Sequence, residues 1–156
     1  MISQTAEYAL RAIVYLADHA GQAHTAERIA AGTKVPVGYL AKIMQGLSKA
    51  RLVTSQRGLH GGFTLVRPIS ELTVYEVVQS VDPILRITAC PLGISDHGTD
   101  LCPLHRGLDN AAAAVEMAFK KLTIHQLLNQ PKASRPLCGF PRQGRPAPDQ
   151  PAKLPT

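Results

Sequence analysis

The stretch CPLGISDHGTDLCPLH, residues 90 to 105, gathers two cysteines and two histidines in a chain that has three cysteines in all. Thiolates and imidazoles are the donors of structural zinc and of iron–sulfur centres, and thiols are also the groups that oxidants attack. The stretch therefore reads as a metal site, a redox switch, or a loop that happens to hold soft ligands. A tetrahedral zinc site would take Cys90, Cys102, His105 and one of Asp96 or His97, because this spacing lets one loop close around one ion. Without a metal, the two cysteines form a thiol switch that ends in a disulfide or a sulfenate. Cys138, in the tail, suits such a switch better than a rigid ligand set.

The rest of the chain must position this stretch. Its 156 residues, 45% hydrophobic, suffice for one compact domain or for a small domain with a dimerisation element. No phosphate loop, nucleophile elbow or paired acid and base is present, so an enzyme is not expected. The N-terminus lacks a signal-peptide pattern and no run of 18 apolar residues occurs, so a soluble, cytoplasmic protein with no membrane partner is expected. Three cysteines in that compartment are reactive or metal-binding rather than a disulfide framework.

Charge divides along the chain. Residues 1–69 carry eight Lys or Arg against three acids, for +5; residues 70–130 carry four against seven, for −3; the tail carries five against Asp149, for +4. A basic first half followed by a mildly acidic second half points to a polyanion-binding module joined to something else. Seven prolines in the last 26 residues and no periodicity mark residues 131–156 as a disordered, basic arm.

Periodicity supplies the elements. Residues 3–20 form an amphipathic helix with Ala6, Leu10, Ile13, Ala17 and Ala20 on one stripe, Ser3 as N-cap and Gly21 as its stop. Thr25 caps a short helix, AERIAA, that ends at Gly32. Pro36 opens a third in its first turn, with Leu40, Ile43, Met44 and Leu47 on the buried side. Two short helices joined by GTKV have the spacing of a helix-turn-helix, and the third helix is in the recognition position.

VTSQ, RGLHGG and FTLVR then read as strand, turn and strand, with Phe63 and Leu65 turned to the core, which makes the unit a winged helix. Arg57 at the bend, among glycines, suits entry into a minor groove. Thr73 and Glu76 form a capping box for a helix carrying Val74, Val77, Val78 and Val81, stopped by Pro83. Leu108, Ala112, Val115, Phe119 and Leu122 make an a/d seam read as a two-fold dimer contact, since the preceding domain has already closed its core, and Thr123 caps a last turn, IHQLL. The expected class is mainly α with a small β-wing: a winged helix-turn-helix over 1–82, a cysteine-containing sensor loop over 83–106, a dimerisation helix over 107–130 and the tail.

Taken together, ISQTAEYALRAIVYLA, VPVGYLAKIMQGLSKARLV, QRGLHGGFTLVRP, LTVYEVVQSVD and the CPLH that leads into the long helix resemble the Rrf2-type winged-helix transcription regulators from residue 1 to about 130. The resemblance implies a homodimer on a palindromic, double-stranded DNA operator, its long helices crossing at the two-fold. It implies a recognition helix in the major groove, with Pro36, Gly38, Tyr39 and Lys42 near phosphates or bases, and a wing of Arg57, Gly58, His60 and Gly61 in the minor groove. Ala41 and Gly38 depart from residues that help relatives choose an operator, so the target sequence is not inherited. Arg51 stands where the family usually has glycine, at a left-handed cap.

Family members that carry a 2Fe–2S cluster have three cysteines six residues apart. Here Cys90 and Cys102 hold the outer two positions, and the middle one is Asp96, with His97 beside it. His105 matches the histidine that completes such a site, and Glu7 lies where a relative offers a carboxylate across the dimer interface. The resemblance thus implies an iron–sulfur cluster on Cys90 and Cys102, completed by His105 with Asp96 or His97, or by Glu7 of the partner subunit. Zinc and a metal-free switch remain the alternatives.

Overall fold

The structure is a computed structural model that describes residues 2–58, 61–91, 93, 100–130 and 136. Among these the order is α1 (Gln4–Asp18), α2 (Ala26–Thr33), α3 (Val37–Lys49), β1 (Val53–Gln56), β2 (Gly62–Leu65), α4 (Val74–Val81), α5 (Pro103–Lys121) and α6 (Ile124–Leu128). The chain is mainly helical with one antiparallel two-stranded wing, in which Val53 pairs with Leu65 and Gln56 with Gly62. No helix of the described residues is long and apolar enough to cross a membrane. His60, Asp96, His97 and Cys138 lie outside the described residues, as does the tail apart from Pro136.

Helix starts follow the capping chemistry. The Ser3 hydroxyl accepts from the Ala6 N–H at 3.2 Å, and Thr25 from Arg28 at 3.3 Å. Thr73 and Glu76 close the capping box in both directions, at 3.2 and 2.9 Å. Pro36 is the N-cap of α3 rather than a residue of its first turn, and no side chain caps that helix. Helix α2 runs past Gly32 to Thr33, and Lys34 takes the left-handed conformation at φ 55°, which turns the chain into α3. Arg51 adopts the same region at φ 57°, between α3 and β1.

The core collects Ala6, Ala9, Ile13 and Leu16 of α1, Ile29 of α2, Leu40, Ile43, Met44 and Leu47 of α3, and Val77 and Val78 of α4. The α3 stripe is the one periodicity implies. On α1 the buried face is broader than expected: Ala9 and Ala12 are fully buried, Leu10 and Ala17 are half-buried, and Ala20 is exposed. The reason is position, because α1 is central and packs against α2, α3, α4 and β2, and its alanines let those neighbours approach closely.

The core does not close at the end of α4. Ile124 and Leu128 of α6 are buried in it, and the backbone stitches the two segments together: Val74 N–H donates to Leu122 O, and Ile124 N–H to Leu72 O, both at 2.9 Å. Two capping boxes, Thr73–Glu76 and Thr123–Gln126, thus meet antiparallel at a Thr73–Thr123 bridge. Helix α5 contrasts with this, since none of its 19 residues is buried.

Candidate functional site

The segment that carries α3 and the wing is free of acidic residues. From Arg28 to Ser70 the chain carries seven Lys or Arg and no Asp or Glu. Pro36 at the N-cap of α3 and Gly38, Tyr39 and Lys42 on the helix are exposed, as are Arg57 and Gly58 at the wing bend. Tyr39 is held in place: its ring meets Tyr8 edge-on with centroids 5.8 Å apart, and its hydroxyl lies 3.0 Å from that of Thr5. A basic segment without carboxylates, with exposed cations and an oriented aromatic hydroxyl, attracts a phosphate backbone.

Glycines of the wing have backbone reasons of their own. A Cβ on Gly61 would stand 2.5 Å from Gln56 O and 2.8 Å from Gly58 O, so the bend closes only with glycine there. Gly62, at φ 148°, passes so close to His24 that a Cβ would meet its backbone at 2.5 Å. That approach lets Phe63 N–H donate to His24 O at 2.8 Å and His24 N–H donate to Phe63 O at 3.1 Å, pinning the wing to the segment after α1. RGLHGG signals a turn locally, whereas this partner lies almost forty positions upstream and follows no period.

The second cluster sits where α5 begins. Cys102 is the N-cap, with Pro103 at the first helical position, where its missing N–H costs nothing. His105 follows at the third position. N-cap and third-position side chains face each other across the first turn, the geometry a capping box uses, and here they bring Cys102 Sγ to 3.3 Å from His105 Nδ1. Both residues are part-buried. Cys90 is a free, partly buried thiol in a turn closed by Gly93 N–H donating to Cys90 O at 3.1 Å.

Among the described residues no three Cys, His, Asp or Glu side chains stand together as ligands of one ion. The donor chemistry fits a 2Fe–2S centre in part: such a centre takes four ligands, and Cys102 with His105 is a matched thiol and imidazole pair. Glu7 is exposed on the first turn of α1 and its carboxylate is engaged by Arg11 at 2.5 Å. It also lines an apolar groove of about 890 Å³ between α1 and α5, with Ile2, Leu10, Ala112, Val115 and Phe119 among its walls. Glu7 thus lines an open apolar groove, and among the described residues it does not join a group of three metal-binding side chains.

Comparison with known proteins places these features. The family profile described as iron-dependent transcriptional regulator, Rrf2, matches residues 2–130. An HTH-type transcriptional regulator of Aquifex aeolicus is 30% identical over 132 residues, covering 83% of this chain and 92% of that protein. An rrf2-like HTH-type regulator of Rhodobacter capsulatus is 32% identical over 126 residues, covering 78% and 81%. Among solved structures, IscR of T. potens superposes with a TM-score of 0.67 at 22% identity, over 82% of this chain and 85% of that one. CymR of B. subtilis, the global cysteine regulator, superposes at 0.66 and 24% identity, over 81% and 95%. At those identities the two structures speak for the fold alone.

Proposed function

The chain belongs to the Rrf2 family of transcriptional regulators, and from that premise we propose that it is a homodimeric repressor whose grip on a palindromic operator is set by an iron–sulfur cluster, of the 2Fe–2S type, at Cys90 and Cys102. As a member of that family it is a DNA-binding regulator and not an enzyme. Pro36, Gly38, Tyr39 and Lys42 of α3 enter the major groove, and Arg57, Gly58, His60 and Gly61 follow the minor groove. A two-fold dimer presents two such faces to successive grooves, which is why its site is a palindrome. Helix α5 supports the dimer: Leu104, Leu108 and Met117 are 67%, 53% and 58% exposed in one chain, and Val115 opens onto the apolar groove.

The observation that carries the sensing half of the proposal is the contact of Cys102 with His105, two soft donors held at 3.3 Å by the cap of the long helix. Cys90 joins them as a second thiolate and Asp96 or His97 completes the set; in the alternative set, Glu7 of the partner subunit completes Cys90 and Cys102. A 2Fe–2S centre there supplies one-electron redox chemistry and is lost to oxidants. The chain's own part is to hold the four donors and to tie their positions to α5.

The test is anaerobic purification followed by an absorption spectrum, iron and sulfide analysis, and operator binding. The expected protein is coloured; Cys102→Ala loses the colour and the change in operator affinity, while Cys138→Ala keeps both. A colourless protein holding zinc replaces the cluster with a tetrahedral site, and a metal-free protein whose DNA affinity follows oxidation makes the pair a thiol switch. A Cys102→Ala variant with wild-type spectrum and regulation removes the stretch from sensing altogether.

A further inference from the structure

Residues 83–91 form no helix or strand, and Cys90 lies at the end of that stretch. Ile84 anchors its beginning, packing on the core and donating its N–H to Gln79 Oε1 at 3.1 Å. Among the described residues the last anchor before Cys90 is Asp109 of α5. Arg86 grips it with both arms, Nε donating to Oδ1 and Nη2 to Oδ2, each at 2.7 Å, and the Ile87 N–H adds a third donor to Oδ1 at 2.9 Å. Arg86 Nη1 also reaches Glu116 Oε2 at 3.4 Å, and Glu116 takes Lys120 at 2.5 Å, whose ammonium lies 4.6 Å from the centroid of the Tyr75 ring on α4. Beyond Ile87, the one backbone hydrogen bond described for the Cys90 turn is internal to it.

The geometry ties both thiols to one carboxylate. From Ile87 to Cys90 is three residues, so Cys90 can stray from the Asp109 anchor by no more than about 10 to 11 Å of extended chain. From Asp109 to Cys102 is seven residues of helix, a fixed rise of about 10 Å. Asp109 and Glu116 are only 15% and 16% exposed, and a two-armed, charge-assisted grip with a third donor is far more directional than an ordinary surface ion pair. The hydrogen bonds from Arg86, and after them that from Ile87, hold the Asp109 carboxyl down to about 2, so the grip is fully charged at neutral pH.

We propose that Arg86 is the positioning residue of the cysteine site: by locking onto Asp109 it sets where Cys90 stands relative to Cys102. The inference rests on reading the two cysteines as the sensing site. It explains how a segment without secondary structure can keep one ligand of a multi-donor site within reach of the others. It also gives that place a mechanical link to α4, and so to the DNA-reading domain, through Glu116, Lys120 and Tyr75.

The test uses the full chain carrying Cys138→Ser, reduced and stripped of metal, and reads the rates at which a maleimide labels Cys90 and Cys102, mapped by mass spectrometry. Arg86→Ala should speed the labelling of Cys90 several-fold and leave Cys102, on its helix cap, unchanged; Arg86→Lys should return Cys90 toward the wild-type rate. In the metal-loaded protein, Arg86→Ala should also shrink the ratio of operator affinities between loaded and stripped forms. If Arg86→Ala does not fold, Asp109→Asn carries the same measurement. Equal Cys90 rates in the wild type and in whichever variant folds overturn the proposal. Failure of the sensing reading shows elsewhere, as a wild-type operator affinity that neither loading nor oxidation changes, because the labelling rate requires no cofactor.

Discussion

The DNA-reading domain and the cysteine segment are built on opposite terms. From Ser3 to Val81 the chain is fixed many times over: three of its four helices start on side-chain caps, its core residues are almost wholly inaccessible, and the wing is pinned to His24. From Pro83 to Cys90 no regular element forms, and among the described residues the backbone is held by Ile84, packed on the core and bonded to Gln79, and by Arg86 and the Ile87 N–H on Asp109. Recognition needs two protein faces at a set separation, so its scaffold must not yield. A segment held by few contacts is one whose position a modest change in local chemistry can alter, which suits the sensing role proposed for it.

Helix α6 tests where the rigid part ends. Ile124 lies 43 residues beyond the last residue of α4, yet it is fully buried in the domain core. Ile124→Ala should therefore destabilise the DNA-reading domain by about 2 to 5 kcal/mol, the usual cost of truncating a buried aliphatic. Urea unfolding measures this. A loss well under 1 kcal/mol would make α6 an appendage and move the boundary of the rigid region back to α4.

The wing gives the next effect. Arg57 is exposed and belongs to a segment without acidic residues, so Arg57→Ala should leave stability nearly unchanged while weakening operator binding by about 1 to 3 kcal/mol, with a shallower salt dependence. Titration of labelled operator at several salt concentrations checks it. Undiminished affinity at every concentration would take the wing out of the interface and leave recognition to α3.

Legibility in the sequence follows the same divide. The caps at Ser3, Thr25 and Thr73, the Leu40 to Leu47 stripe and the hairpin were readable because each is local: a cap and its donor are three residues apart, and a stripe repeats within two turns. The Cys102–His105 contact was readable for the same reason. The left-handed Lys34 was not, since lysine carries no signal for that conformation, and the burial of Ala9, Ala12 and Ile124 depends on which elements surround α1. Nor was the grip of Arg86 on Asp109, which joins residues 23 apart with no period between them. The seam on α5 suggested a dimer on the ground that the core was already closed. Ile124 and Leu128 remove that ground, and Phe119 and Leu122 of the seam pack against the chain's own core.

The smallest expected effect separates the two regions by pH. His24 is 3% exposed and neither ring nitrogen has a well-formed hydrogen bond, although its backbone carries the wing. Burial first, then the charges of His19 and Arg28, push its pKa below the ordinary 6.5, against a weak opposing interaction with the His19 backbone. Above pH 6.5 the imidazole is neutral both folded and unfolded and has no effect on stability. As pH falls from 6.5 toward the lower folded value, the unfolded chain takes up a proton that the fold resists, so stability drops. Asp109 behaves differently over that window: its carboxyl, held at about 2 against an ordinary 3.8, contributes stability that is complete above about 4 and is lost only as pH falls from there toward 2. Mild acid should thus loosen the wing anchor while the Arg86 clamp stays intact. Thermal melts at pH 7.5 and 5.5 should show a smaller acid loss for His24→Leu than for wild type, whereas Asp109→Asn should lower both melts equally. If His24→Leu loses as much stability in acid as the wild type, the titrating group lies elsewhere, and the DNA-reading half is as indifferent to mild acid as the clamp.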